Sequence, residues 1–118
     1  MRNKFINAIL AIVIMVIGTA YKPPTKATVY FKVSGTCEMC KERIEHALDV
    51  KGVKTAIWNV KSQQVMVIYN PRKLEEIQLH NLVAIAGHDT EKVKASEQAY
   101  ADLPECCLYR SGAKCTDH

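Results

Sequence analysis

Thr28-Val29-Tyr30-Phe31-Lys32-Val33-Ser34-Gly35-Thr36-Cys37-Glu38-Met39-Cys40 is the stretch whose reading decides the fold. Val29, Phe31 and Val33 alternate with Thr28, Tyr30 and Lys32, the period of a half-buried strand, here over 27–33. Ser34-Gly35-Thr36 is a turn. Beyond it the period changes. Cys40, Ile44, Ala47 and Leu48 recur at helical spacing, which predicts a helix over about 38–50. Thr36 is the expected N-cap, and Gly52 follows the helix end. The pair Cys37 and Cys40 therefore falls where a strand hands over to a helix.

Two further strands follow, over 53–60 and 65–69, joined by the polar hairpin Lys61-Ser62-Gln63-Gln64. Asn70-Pro71 breaks the second. A helix over about 73–86 carries Leu74, Ile77, Leu82 and Ile85 as its apolar stripe, and Gly87 closes it. Residues 89–95 complete the set as a short fourth strand, which the topology asks for more than the pattern does. The order βαββαβ is an α+β, ferredoxin-like sandwich: a four-stranded antiparallel sheet with two helices on one face. Trp58 faces the helices as core. Tyr30, Ile57, Met66 and Ile68 fall on the other face, which is apolar enough to invite a cover.

The chain of 118 residues suits one domain, and 48% hydrophobic content is enough to fill a core. Sixteen basic residues face twelve acidic ones. They are scattered, so a nucleic-acid-binding stripe is not expected. With a single long apolar run, a pore is excluded. That run opens the chain. Met1-Arg2-Asn3-Lys4 is basic, residues 5–17 are apolar apart from Asn7, and Gly18-Thr19-Ala20 offers small residues for cleavage. Residues 1–20 thus read as a secretory signal or, uncleaved, as a membrane anchor. Either places the rest in the periplasm or otherwise outside the cytoplasm. Membrane association is expected only in the uncleaved case. Residues 21–26, with Pro23-Pro24, read as an extended linker.

Chemistry resides in the cysteines. Two thiolates in Cys37-Glu38-Met39-Cys40 can converge on one ion, and a helix N-terminus favours their anionic form. Thiolates select soft ions, and two ligands are too few for a closed zinc site. A disulfide or a thioredoxin-like redox pair is the alternative use of the same spacing. No Ser-His-Asp set, phosphate loop or nucleotide fingerprint can be assembled, so no enzyme is expected apart from a thiol–disulfide oxidoreductase.

Residues 33–40, together with Gly52-Val53, Tyr69-Asn70-Pro71 and Ala86-Gly87-His88, resemble the heavy-metal-associated domain. The resemblance covers about 27–95. That family includes copper chaperones, modules of copper-transporting ATPases and periplasmic mercury-binding proteins. The resemblance implies the ferredoxin-like fold and a metal held by Cys37 and Cys40. It places His88 beside the metal loop, either as a third ligand or as a solvated loop residue. It also makes a metal transporter or efflux system the expected partner. This chain departs from the family's usual Gly-Met-Thr-Cys, having Ser34-Gly35-Thr36-Cys37.

A Cys-containing extension, 96–118, follows the domain. Ser96 can cap a short helix through Leu103, which Pro104 stops. The returning chain can bring Cys106 and Cys107 back towards Cys37 and Cys40. We expect residues 96–110 to cover the apolar sheet face and lend Cys106 or Cys107 to the site, the alternative being a solvated tail. Met39 is expected to pack the loop, and His46 and His80 to lie on the surface. The expected ligand is Cu(I), with Hg(II) and Zn(II) next. The expected role is to carry that ion and pass it on by thiolate exchange. A membrane-tethered sensor or adaptor is a third reading.

Overall fold

The computed structural model describes residues 22–111. The signal or anchor segment 1–20 and Cys115 lie outside the described residues. Strand β1 (Ala27–Lys32) leads through the cysteine loop into helix α1 (Glu38–Ala47), and the hairpin β2 (Val53–Asn59) and β3 (Gln64–Tyr69) follows. Then come α2 (Glu76–Ile85), a short α3 (Glu97–Ala101) and two single-turn 3₁₀ helices, Glu105–Cys107 and Tyr109–Ser111. The sheet order is β1-β3-β2, antiparallel throughout.

The register explains the layering. Phe31 and Trp58 both pair with Val65, so all three side chains share one face. All three are buried, with Ile44 and Leu48 from the first helical segment and Leu79 and Val83 from α2. Each large side chain removed from water this way contributes about 1.5–3 kcal/mol. Trp58 also satisfies its polar edge, donating from Nε1 to the Val33 carbonyl at 3.0 Å. Tyr30 and Ile57 pair with Met66 one residue along, and so face the other way.

Three expectations need correction. First, residues 89–95 do not form a fourth strand. Only an isolated antiparallel bridge, Val33 to Thr90, is present. The chain turns at once because the Thr90 hydroxyl accepts from the Lys92 and Val93 amides, while the Asp89 carboxylate accepts from the Ala95 amide. Side-chain bonds replace the ladder and redirect the chain.

Second, the apolar sheet face stays open: Tyr30 is 62% exposed and Ile57 50%. The extension packs elsewhere, against the end of α2 and the cysteine loop, burying Leu103 and Cys107 in the main core. Third, the buried stripe of α2 is Leu79, His80, Val83 and Ala84, whereas Ile77 and Ile85 are exposed. His80 is therefore a core residue, stacked on Phe31 with ring centroids 3.9 Å apart. His46 is exposed, as expected.

Candidate metal centre

The cysteine loop is held from below and from the side. Gly35 is buried, and a Cβ there would lie 3.0 Å from the Trp58 ring and 3.1 Å from Cys40 Cβ. The loop can rest on the tryptophan only because residue 35 has no side chain. Gln63, across the hairpin, accepts from the Gly35 amide at 3.0 Å. The N-cap of α1 is Cys37 and not Thr36. Thr36 has two other duties. Its amide donates to Cys40 Sγ at 3.4 Å, and its hydroxyl donates to the Cys106 carbonyl at 2.6 Å.

That second bond joins the loop to the extension. Ser96 caps α3 by accepting from the Ala99 amide, and the turn of Glu105–Cys107 then descends onto the loop. Tyr109 and Arg110 fix it there. The Tyr109 hydroxyl donates to the Gly87 carbonyl at 2.7 Å and accepts from the Asp89 amide at 2.9 Å. Arg110 holds both oxygens of Asp89 and stacks over Tyr100. Gly87 admits this packing. Its φ is +105°, and a Cβ would approach the Ala99 carbonyl oxygen to 2.7 Å.

The result is a sulfur cluster. The Sγ atoms of Cys37, Cys40 and Cys107 lie within 4.8 Å of one another. Cys40 and Cys107 are fully buried. Burial works against ionisation of Cys40. Hydrogen bonds from the Cys107 thiol, from Thr36 and from the Cys37 amide outweigh it and hold the thiol below its ordinary range. Cys107 is pushed the other way, by burial and by Cys40 and Cys106 beside it. Cys40 is thus the first thiolate, and Cys107 donates to it until a cation displaces the proton. Cys40, Cys106 and Cys107 are thiols, whereas Cys37 is oxidised. Its sulfur could bond an ion only after reduction.

Cys106 is placed differently from Cys107. Its thiol donates to Met39 Sδ at 3.2 Å and lies 4.0 Å from Cys107 Sγ. Met39 is 46% exposed and does not pack the loop interior. His88 is fully buried and lies outside the three-sulfur group. Its Nδ1 donates to the Ser34 carbonyl at 2.8 Å and its ring stacks on Tyr109. That bond fixes the Nδ1–H tautomer. Nε2 is left without a hydrogen-bond partner among the described residues, and burial keeps the ring neutral by lowering its pKa. His88 therefore braces the loop backbone from behind. The sequence pointed to Cys106, Cys107 and His88 but not to Tyr109, Arg110 and Asp89, which position them. The available signal was an aromatic and a guanidinium directly after paired cysteines in a tail otherwise poor in anchors.

A ferredoxin-like frame carrying clustered cysteines at a strand-to-helix turn defines a heavy-metal-binding module. The sequence agrees. Residues 30–89 match the heavy-metal-associated domain, and the chain belongs to that family. Among solved structures it is similar to the CopZ metallochaperone, at 30% identity and TM-score 0.52, covering 54% of this chain and 98% of that one. It is also similar to the N-terminal domain of a potential copper-translocating P-type ATPase from Bacillus subtilis, in the Cu(I)-loaded state (31% identity, TM-score 0.52, 55% of this chain and 84% of that). Oxidized MerP from Ralstonia metallidurans CH34 is similar at 26% identity and TM-score 0.53, over 56% of this chain and 94% of that. No curated protein matches the chain.

Proposed function

We propose that this protein is an extracytoplasmic carrier of a soft metal ion, Cu(I) before Hg(II) or Zn(II), held by Cys37, Cys40 and Cys107 and passed to a metal transporter. The observation that carries the reading is the convergence of three sulfurs within 4.8 Å at the start of α1. An all-sulfur set of three suits monovalent copper and mercury. Closed zinc sites take four ligands, and no His, Asp or Glu joins the cluster among the described residues. The similar domain of a potential copper-translocating P-type ATPase, solved in its Cu(I)-loaded state, supports the first choice.

Loading follows from the acidity order. The Cys40 thiolate captures the ion, the Cys107 thiol then loses its proton to solvent as its sulfur bonds to it, and the sulfur of reduced Cys37 completes the set. Release is by ligand exchange. An acceptor thiolate joins the ion as one protein thiolate leaves, so coordination never falls to zero. No covalent chemistry on an organic substrate is assigned to the site. A basic N-terminal segment with a long apolar run supports export of the chain.

The test is titration of fully reduced protein with Cu(I), Hg(II) and Zn(II), followed by native mass spectrometry, with and without Cys37→Ser and Cys40→Ser. Cu(I) or Hg(II) retained by the parent chain and lost from the variants supports the reading. A reduced chain that retains none of the three ions rejects it.

A further inference from the structure

Two sulfurs of the extension and α1 remain outside the three-thiolate cluster's account. Met39 sits in the first turn of α1, 46% exposed, and Cys106 sits partly exposed in the turn of Glu105–Cys107. Their sulfurs meet at 3.2 Å although the residues are 67 positions apart. Cys106 Sγ is in turn 4.0 Å from Cys107 Sγ, which is fully buried and belongs to the inner cluster. Sulfur donors thus run from Met39 and Cys106 at the surface to Cys107 and Cys40 in the interior, with the half-buried Cys37 beside them. The Thr36 hydroxyl anchors the Cys106 backbone at the mouth of the cysteine loop by donating to its carbonyl at 2.6 Å. A thioether is a neutral, soft donor. It ligates Cu(I) and is a poor partner for harder divalent ions.

We propose that Met39 and Cys106, sharing the Cys107 sulfur, form a second, outer position for Cu(I) through which the ion reaches the inner thiolates. The inference rests on the proposed soft-ion function and adds a capacity and a route to it. An arriving Cu(I) bonds to Met39 Sδ and Cys106 Sγ, and the Cys106 proton leaves to solvent. The ion moves inward as a Cu–S bond to Cys107 forms, the Cys107 proton leaving to solvent and the bond to Met39 breaking; a bond to the Cys40 thiolate then replaces the bond to Cys106, which takes a proton back from solvent, and copper stays monovalent throughout. When the inner site is already filled, the outer position retains a second ion, with Cys107 bridging the two.

The full chain, reduced and anaerobic, is titrated with the acetonitrile complex of Cu(I) and weighed by native mass spectrometry, beside M39L and the double variant M39L/C106S. Two ions per chain are expected for the parent protein. One is expected for M39L/C106S, with the affinity of that remaining ion changed less than about threefold. Because both side chains reach the surface, the variants are expected to keep the parent's far-ultraviolet circular dichroism and buried Trp58 fluorescence. An M39L/C106S chain that shows these signatures and still takes two ions overturns the proposal. A parent chain that stops at one ion overturns it too and leaves the carrier function standing. A parent chain that takes none removes both.

Discussion

Asp89 and Arg110 meet at two points. Arg110 Nη2 lies 2.8 Å from Asp89 Oδ1 and its Nε 3.2 Å from Oδ2. One residue belongs to the loop beyond α2 and the other to the extension, so this pair locks the segment that delivers Cys107. Burial disfavours the Asp89 carboxylate, but the Arg110 guanidinium and the Ala95 amide more than offset it and hold the pKa below the usual range. The folded value lies under the unfolded one, so the pair's contribution is present above about pH 4 and fades as pH falls through the folded pKa. Arg110→Met is therefore expected to speed amide exchange at Cys107 at neutral pH, and the difference from the parent chain is expected to shrink below about pH 4. Hydrogen exchange read residue by residue checks this. Equal protection in both chains at neutral pH would deny the lock.

Gly87→Ala forces a side chain into a left-handed backbone and against the Ala99 carbonyl oxygen at 2.7 Å. A cost of about 1–3 kcal/mol is expected. For a folded part of this size that lowers the Tm by several degrees for each kcal/mol. Thermal unfolding followed at Trp58 measures the difference.

His80 and His88 are both buried, and burial lowers the pKa of each below the ordinary histidine value. The unfolded chain then binds more protons than the folded one below about pH 6.5. Stability is expected to be full above that pH and to fall as the solution is acidified towards pH 5. His80→Asn removes one of the two sites and flattens the fall, at the expense of the Phe31 stack. Urea midpoints from pH 5 to 8 report it.

Cys37 enters the structure oxidised and must gain an electron and a proton before it can ligate. A dithiol reductant supplies both, becoming a disulfide itself. Without reductant, uptake of Cu(I) is expected to drop by at least about tenfold in affinity, equivalent to about 1.4 kcal/mol. Competition with a chromogenic Cu(I) chelator, with and without prior reduction, gives the ratio.

The sequence made much of the frame legible. Alternation in Val29, Phe31 and Val33 and the helical spacing of Cys40, Ile44 and Leu48 come from burial itself, so they survive translation into three dimensions. The α2 stripe was misplaced because Ile77 and Ile85 look more apolar than His80, yet the helix is rotated to stack His80 on Phe31 and to give its Nδ1 the Thr90 hydroxyl at 2.6 Å. Periodicity weighs residue type and cannot see that a polar ring has found partners. Residues 89–95 were expected as a strand from topology and not from their pattern, and the side-chain bonds of Asp89 and Thr90 turn them aside. The return of Cys107 to Cys40 was one of two readings of the tail, and the route reckoned for it ran along a fourth strand that does not form. The face it crosses was not legible, because Tyr30 and Ile57 advertised an uncovered surface that the extension leaves open.

The most direct measurement is copper-edge X-ray absorption on reduced chain carrying one equivalent of Cu(I). Three sulfur neighbours are predicted for the parent protein and two for Cys107→Ser. A first shell of nitrogen and oxygen, or no copper retained after desalting, would contradict the account.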